Sequence, residues 1–193
     1  MADTQPPAGT LEDALSAAQH MRGFAGEWWI AGGWAIDLWL GEVNREHSDV
    51  EISIWRDDQL ALRQHWAEWE WLTPIDHEFR PWDGKRLELP QHQLMARRDG
   101  REVEFFLNER EGDVWVSRRD ERIRVPVGEL VVMSERWGVP VLRPEIQLLY
   151  KAKWLREKDR ADHARAMEKM SEGQKGWLRE NIQLVHPWHE WAM

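Results

Sequence analysis

One arrangement of sequence motifs near the N-terminus constrains the fold of this 193-residue chain more than any other feature. An apolar stretch that predicts a strand ends at Gly32-Gly33, a short apolar stretch that predicts a helix follows, and a second predicted strand then begins with Asp49-Val50-Glu51. Residues two apart on a strand point to the same face, so the Asp49 and Glu51 carboxylates can aim at one point. The pattern therefore predicts a strand–turn–helix–strand unit with an acidic site.

The Gly-Gly turn and the two carboxylates are suited to binding a nucleoside triphosphate together with its metal ion. A Gly-Gly turn directly before a helix exposes backbone N–H groups, and the missing Cβ atoms let a phosphate approach closely. Carboxylate oxygens are the hard ligands that Mg²⁺ prefers. The sequence predicts that Gly32 and Gly33 bind phosphate while Asp49 and Glu51 bind Mg²⁺.

The order Ala31-Gly32-Gly33, then Asp49-Val50-Glu51, resembles the pattern of the nucleotidyltransferase superfamily that includes DNA polymerase beta. Within that superfamily the chain is most similar to the aminoglycoside 2''-adenylyltransferases. The likeness is carried by Gly-Gly-Trp-Ala-Ile-Asp, then Leu-Gly, then Arg-x-His-x-Asp-x-Glu, and it continues C-terminally in three segments: 144–153, 158–162 and 186–191. It therefore covers nearly the whole chain.

The resemblance implies an α+β nucleotidyltransferase fold, with a mixed β-sheet flanked by helices and a C-terminal helical region. We expect a nucleotidyltransferase domain over 8–135 and the helical region over 136–193. The implied activity is Mg²⁺-dependent transfer of AMP from ATP to a hydroxyl of a small molecule. If that acceptor is an aminoglycoside or a lincosamide, the result is antibiotic inactivation.

Nucleotidyl transfer needs a third carboxylate on a neighbouring strand, which completes the metal site and takes the proton from the attacking hydroxyl. Glu104, between Val103 and Phe105, is the candidate that the family's order of residues favours, and Glu102 is the reserve. In the alternative interpretation, both Glu side chains face solvent on an edge hairpin. Many relatives carry Asp where this chain has Glu51 and Glu104, and the longer side chain changes the distance from metal to strand.

Cationic residues flank the predicted site. The resemblance places Arg45 and His47 at its rim, where a cation could meet the triphosphate; alternatively, His47 caps a backbone group in a loop. Lys151 borders the apolar face of a predicted helix and could reach a nucleotide phosphate. The alternative there is an ordinary solvated helix, with Lys158 and Asp162 paired at i,i+4.

Composition limits the partners. A formal net charge of −9 argues against a general nucleic-acid binder and favours cationic ligands, so we expect a nucleoside triphosphate and a small cationic hydroxyl acceptor. Zero cysteines remove disulfides, thiolate metal sites and cysteine nucleophiles. No apolar run is long enough to cross a bilayer, and the N-terminus lacks the regions of a signal peptide, so we expect a cytoplasmic protein.

A second class of function stays open. The same fold could serve as a nucleotide-binding or protein-regulating module, of the toxin–antitoxin kind, without small-molecule turnover. An exposed apolar patch with unburied Trp would favour a protein partner. An open acidic cleft beside Asp49 would favour a small cationic acceptor.

Pattern predicts the remaining elements. Thr10 caps a helix that runs to about Phe24, and Leu62, Trp66 and Trp69 form an apolar stripe on a helix over 57–71 capped by Asp57 or Asp58. The predicted hairpins and C-terminal helices are a hairpin of 93–96 with 101–107, a hairpin of 114–116 with 123–125, one helix over 144–170 and another over 172–184.

Tryptophan is the unusual component, with 15 residues against one Tyr and four Phe. An indole buries a large apolar area and needs one hydrogen bond, so most of these side chains are expected in the core. Trp34, directly after the Gly-Gly turn, and Trp82 are the two that could instead line a pocket and stack on a ring.

Overall fold

The computed structural model describes residues 9–192, which form six α-helices and ten strands. The helices are α1 (Leu11–His20), α2 (Gly32–Leu40), α3 (Gln59–His65), α4 (Pro144–Ala152), α5 (Glu157–Lys169) and α6 (Glu172–Val185). The strands are β1 (Trp28–Ile30), β2 (Glu51–Trp55), β3 (Glu70–Ile75), β4 (Glu78–Pro81), β5 (Gln93–Arg98), β6 (Arg101–Glu111), β7 (Val114–Val116), β8 (Arg124–Pro126), β9 (Val131–Met133) and β10 (Pro140–Leu142).

The strands form one mixed sheet in the order β4-β3-β5-β6-β2-β1-β10-β9, and β7 joins β6 to β8 beside this path. β2 pairs parallel with β6 and β1 pairs parallel with β10, whereas the other pairs are antiparallel. A mixed sheet with helices packed on it is an α+β architecture. The predicted fold class is confirmed.

The central strands β2 and β6 divide the molecule into a core side and an open side. Ile52, Ile54 and Phe105 are fully buried in the hydrophobic core. Because side chains alternate along a strand, Glu51 and Glu104 must point to the opposite face. The alternation that builds the core therefore also delivers both carboxylates to the open side of the sheet.

Helix α1 begins where the sequence predicts. The Thr10 hydroxyl accepts a hydrogen bond from the Asp13 backbone N–H (3.1 Å), and the Asp13 carboxylate accepts one from the Thr10 backbone N–H (2.9 Å). This reciprocal pair satisfies two N–H groups that the first helical turn leaves free. The helix ends at His20, before the predicted end at Phe24.

The helix predicted over 57–71 is wrong in its second half. A 3₁₀ turn over Arg56–Asp58 leads into α3, which ends at His65, and the Asp58 side chain makes no capping hydrogen bond. From Glu70 the chain is a strand, β3, in which Trp71 pairs with Ala96 of β5. Backbone pairing with β5 and burial of Trp71 outweigh the helical spacing of the apolar residues.

The single helix predicted over 144–170 is also wrong, because it is interrupted between α4 and α5. Leu155 lies in this break with φ of 43°, in the left-handed region that an α-helix excludes. Asp159 caps the restart by accepting hydrogen bonds from the backbone N–H (3.1 Å) and side chain of Arg156. The break turns α5 so that its acidic residues face the end of α4.

Both predicted hairpins are present, as β5 with β6 and as β7 with β8. Strands β3, β4, β9 and β10 were not predicted. Residue 135, where the sequence suggested a domain boundary, lies in the connection between the paired strands β9 and β10. Among residues 9–192, no helix combines the length and the apolar character that a bilayer span requires.

Candidate active site

The Gly32-Gly33 turn has no room for side chains. Gly32 has φ of +66°, and a Cβ on it would lie 1.8 Å from Oε2 of Glu51. A Cβ on Gly33 would lie 2.2 Å from Nη2 of Arg45. The Gly32 N–H donates to Oε1 of Gln147 (2.8 Å), which ties the start of α2 to α4. Glycine here brings the Glu51 carboxylate and the Arg45 guanidinium directly against the turn.

The sheet register places the candidate acids side by side. Glu51 of β2 and Glu104 of β6 are Cα partners in the parallel pair, so they point to the same face. Asp49 lies two residues before Glu51 and accepts a hydrogen bond from the Ser48 hydroxyl (2.9 Å). The Gln93 side-chain amide donates to Oε2 of Glu104 (2.8 Å). Glu102, the reserve candidate, is instead paired with Arg97 at 2.7 Å.

Burial and neighbouring acids raise the pKa of Glu51 and of Glu104. Burial and the charge of Asp49 raise the pKa of Glu51 to about 7, and the positive charge of Lys151 offsets only part of this rise. Burial, Glu51 and Asp49 raise the pKa of Glu104 to about 7 as well. Desolvation and neighbouring like charges both disfavour an ionised carboxylate. Ionising both Glu51 and Glu104 therefore costs free energy unless a further positive charge binds beside them.

This donor set fits a divalent cation. Three of the surrounding cations have other partners, because Arg45 and Lys151 pair with Asp162 and Arg156 pairs with Asp159. Desolvated oxygen donors that lack a cation are the chemistry that Mg²⁺ satisfies. Within residues 9–192, no three Asp, Glu or His side chains already surround one point at metal-binding distances. The side chains would have to turn toward a bound ion.

A buried ionic cluster joins Arg45 and Lys151 to α5. Arg45 donates from Nε and Nη2 to the two carboxylate oxygens of Asp162 (3.0 and 2.9 Å). The Lys151 ammonium lies 2.9 Å from Asp162 and 3.1 Å from Asp159. The alternative pairing of Lys158 with Asp162 is wrong, since Asp162 is occupied by Arg45 and Lys151.

His47 is held in place by buried partners. Its Nε2 lies 2.8 Å from Oδ2 of Asp37, and its ring stacks on Trp34 at a centroid distance of 4.0 Å. Although burial raises the pKa of Asp37, hydrogen bonds from His47 and Asn44 lower it further than burial raises it. A Cβ on Gly33 would lie 2.6 Å from Nδ1 of His47. The second ring nitrogen therefore faces the Gly-Gly turn.

One cleft of about 440 Å³ is lined by the Gly32-Gly33 turn and by Arg45, His47, Asp49, Glu51 and Lys151, whereas Glu104 opens onto a neighbouring cavity. Seven Arg or Lys residues line it, against the two carboxylates Asp49 and Glu51; the cations are Arg45, Arg118, Arg119, Lys151, Lys153, Arg156 and Lys158. A cleft lined mostly by one sign of charge attracts ligands of the other sign. The arrangement suits a polyanion such as a triphosphate.

A second cavity, of about 570 Å³, lies between α1 and the β5–β6 hairpin. It shares Asp49 with the first cleft and also reaches Glu104. Trp66 and Trp69 line one side of it. This cavity lacks the Gly-Gly turn and the cluster of cations, so it does not have the features expected of a triphosphate site.

Neither of the two tryptophans that could have lined a pocket, Trp34 and Trp82, lines the cationic cleft. Trp34 is 2 % exposed and packs behind His47. Trp82 is also buried; its indole N–H donates to the backbone carbonyl of Lys85 (2.8 Å), and it borders a separate cavity beside α3. Trp154, in the break between α4 and α5, is the tryptophan that lines the cleft, and it is 70 % exposed.

Several residues that line the cleft were not predicted from the sequence. Ser53, Phe106 and Asn108 follow Glu51 and Glu104 at alternate strand positions, so extending the alternation would have found them. Other residues come from distant segments and carry no local signal; they are Gln147, Arg118, Arg119, Tyr150 and Trp154.

Comparison with known proteins identifies the family. The sequence profile of the aminoglycoside-2''-adenylyltransferases matches residues 14–166, which extends from α1 into α5. The chain belongs to the aminoglycoside-2''-adenylyltransferase family. The predicted resemblance is confirmed, and this family member is a nucleotidyltransferase, an enzyme class that uses a nucleotide donor.

Solved structures support the fold of this aminoglycoside-2''-adenylyltransferase family member. The lincosamide antibiotic adenylyltransferase LnuA, solved with lincomycin, is 14 % identical with a TM-score of 0.61, covering 82 % of this chain and 97 % of LnuA. ANT(2'')-Ia in complex with adenylyl-2''-tobramycin is 16 % identical with a TM-score of 0.59, covering 90 % of this chain and 96 % of that protein. No curated protein matches the sequence.

Proposed function

We propose that this protein catalyses Mg²⁺-dependent transfer of AMP from ATP to a hydroxyl group of a small molecule. The observation that carries the proposal is the pairing of Glu51 with Glu104 on parallel strands, with Glu51 lying against the Gly32-Gly33 turn in a cationic cleft. Acids that share a face next to an anion-binding turn are what nucleotidyl transfer requires.

The triphosphate would lie against the Gly32-Gly33 turn, with Arg45, Lys151 and Lys158 facing its oxygens. As an imidazolium, which donates from both ring nitrogens, His47 would hold Asp37 through Nε2 and donate to a phosphate oxygen from Nδ1.

Asp49, Glu51 and Glu104 would hold Mg²⁺. Bound there, Mg²⁺ would neutralise phosphate charge and lower the pKa of the attacking hydroxyl. The raised pKa values of Glu51 and Glu104 support this assignment, because they indicate carboxylates that lack a positive partner.

The proposed reaction replaces one bond to the α-phosphorus of ATP with another. The acceptor hydroxyl oxygen forms a bond to the α-phosphorus of ATP, and the bond from that phosphorus to pyrophosphate breaks. The hydroxyl proton passes to the Glu104 carboxylate. A carboxylate within reach of the attacking hydroxyl is a group that can accept its proton.

The test is Mg²⁺-dependent release of pyrophosphate from ATP with aminoglycosides, with lincosamides and without acceptor. Wild type, Glu51→Gln and the exposed control Glu12→Gln are compared. We expect acceptor-dependent release in wild type and in Glu12→Gln and none in Glu51→Gln. Failure of wild type to bind ATP in calorimetry would contradict the proposal.

One observation favours a second candidate, a nucleotide-binding or protein-regulating module. Trp188, close to the C-terminus, is 97 % exposed, and such a large exposed apolar side chain is common where a protein partner binds. ATP binding without turnover of any acceptor in the panel would support this second function.

A further inference from the structure

One aromatic side chain of the cationic cleft is exposed to solvent. Trp154 is 70 % exposed, and among the tryptophans of residues 9–192 only Trp154 and Trp188 are exposed. Trp154 lines the cleft, whereas Trp188 lies outside it. A tryptophan side chain gains favourable free energy when its large apolar area is covered. An indole left open inside a ligand cleft therefore indicates that a ligand covers it.

The Trp154 ring presents one open face. The Lys153 ammonium lies 4.9 Å from its centre and occupies one side of the ring. The neighbouring Tyr150 ring is less exposed and already contacts two guanidinium groups, since the guanidinium carbons of Arg118 and Arg119 lie 5.4 and 4.6 Å from its centre. Trp154 is therefore the aromatic side chain of the cleft on which a planar group can stack.

Helix α4 connects this indole to the proposed phosphate site. Near its start, the Gln147 side chain accepts the hydrogen bond from the Gly32 N–H (2.8 Å). The helix ends at Ala152, about 8 Å further along its axis at about 1.5 Å per residue. The Trp154 N–H then donates to the Lys151 carbonyl (3.3 Å), which holds the Trp154 backbone against the last helical turn. A nucleotide with its triphosphate at the Gly-Gly turn and extended along α4 would bring its base to Trp154.

The charged side chains around Trp154 suit phosphates but not the edge of adenine. Lys151, Lys153, Arg156 and Lys158 line the cleft on either side of it in the sequence. Lys and Arg side chains only donate hydrogen bonds, so they cannot accept one from the adenine amino group. Every base nevertheless has a π face, and stacking on an aromatic side chain is favourable whichever base it is. This end of the cleft therefore suits stacking better than reading the hydrogen-bonding edge of a base.

We propose that Trp154 binds the base of the donor nucleotide by stacking on it with the open face of its indole. The inference rests on the proposed nucleotidyl transfer and adds to it the residue that binds the base. Stacking does not depend on the pattern of hydrogen-bond donors and acceptors that distinguishes one purine from the other. The site should therefore accept GTP about as well as ATP.

Calorimetry tests the proposal with α,β-methylene ATP, α,β-methylene GTP and inorganic tripolyphosphate, each titrated in the presence of Mg²⁺ and without any acceptor. Tripolyphosphate makes the phosphate contacts but has no base. We expect wild type to bind the two nucleotides with affinities within about tenfold of each other. Trp154→Ala should weaken the binding of both nucleotides at least about fivefold and leave the binding of tripolyphosphate unchanged.

Two further variants serve as controls. Trp154→Phe keeps an aromatic ring and should retain most of the nucleotide affinity that Trp154→Ala loses. Trp188→Ala removes the other exposed tryptophan, which lies outside the cleft, and should bind all the probes as wild type does. Because the Trp154 side chain is largely exposed, its replacement removes little packing, and melting temperatures verify that each variant is folded.

Three results would overturn the inference: equal nucleotide affinity in wild type and Trp154→Ala, an equal loss of nucleotide and tripolyphosphate affinity in Trp154→Ala, or a preference of wild type for one purine nucleotide beyond about tenfold. In each of these cases wild type still binds nucleotide, so the proposed nucleotidyl transfer stands. If wild type binds neither the nucleotides nor tripolyphosphate, the proposed nucleotidyl transfer fails and the inference fails with it.

Discussion

At the scale of single residues, the buried Glu51 and Glu104 carboxyl groups serve the proposed activity but lower the stability of the metal-free protein at higher pH. Both have pKa values raised to about 7 by burial and by neighbouring acids. An unfolded chain has glutamate pKa values of about 4.3, so the native state binds more protons than the unfolded state between about pH 4 and 7. Stability therefore falls as the pH rises through this window when no metal is bound.

Replacing Glu51 with Gln should stabilise the metal-free protein. The amide is neutral at every pH, so at pH 8 the variant avoids a cost on the order of 1–3 kcal/mol for ionising a buried carboxyl. At pH 5 wild-type Glu51 is already mostly protonated, and the two proteins should differ little. Urea unfolding in EDTA at both pH values measures this; a Gln variant that is less stable than wild type at pH 8 would refute it.

Glu104 and Glu102 provide a matched pair on one face of β6. Because Glu104 is the proposed base, Glu104→Gln should lower kcat by about 100-fold to 10,000-fold. Glu102 pairs with Arg97 at the surface, where such a pair contributes only about 0–1 kcal/mol, so Glu102→Gln should leave kcat nearly unchanged. Steady-state kinetics with an accepted substrate distinguishes them, and the reverse order would make Glu102 the third acid.

At the scale of elements, the break between α4 and α5 allows the buried ionic cluster of Arg45, Lys151 and Asp162 to form. In one continuous helix, residues eleven apart are separated by about 16 Å, at a rise of about 1.5 Å per residue. The Lys151 ammonium nevertheless lies 2.9 Å from the Asp162 carboxylate. Only a change of direction after α4 brings both residues to Arg45, so the interruption at Leu155 shapes the cleft.

The turn between β1 and α2 can be tested with two glycines. Gly32→Ala places a Cβ at φ of +66° and 1.8 Å from the Glu51 carboxylate, so Glu51 must move. We expect kcat/KM for ATP to fall at least tenfold, because misplacement by about 1 Å is costly in rate. Gly176→Ala, within α6 and with open space around it, should instead raise stability by about 0.5–1 kcal/mol without changing kcat/KM. Equal kinetics in the two variants would contradict this account.

At the scale of the whole molecule, Trp66 joins α1 and α3 to the sheet. It is 1 % exposed, its ring centre lies 4.4 Å from that of His20 and 5.1 Å from that of Phe105, and its indole N–H contacts the Met21 sulfur. Aromatic groups packed edge to face contribute both buried area and favourable geometry. The core therefore depends on this side chain, which lies directly after the last residue of α3.

Trp66→Ala should lower the free energy of unfolding by about 3–5 kcal/mol, because it leaves a large cavity in a packed core. Trp188→Ala should change it by less than about 0.5 kcal/mol, because the Trp188 side chain is almost fully exposed. Urea unfolding curves give both values. Similar destabilisation by the two substitutions would show that Trp188 is buried in solution.

Features that depend on neighbours in sequence were predictable. The Gly32-Gly33 turn, the Thr10 cap and both hairpins follow from backbone conformations that particular residues favour. The lengths of α3 and α4 were not predictable from periodicity alone. Their ends are decided by pairing of Trp71 with β5 and by ion pairs that cross between helices.

The sequence by itself determined the family, the fold class and the residue types available for chemistry. Only the tertiary structure decided that Glu51 lies beside Glu104, that Gln147 holds Gly32 across 115 residues of sequence, and that Arg118 and Arg119 reach Tyr150. Net charge likewise did not reveal a cationic cleft in an acidic protein. The physical reason is that local conformation is set within a few residues, whereas contacts between distant segments are chosen by packing of the whole core.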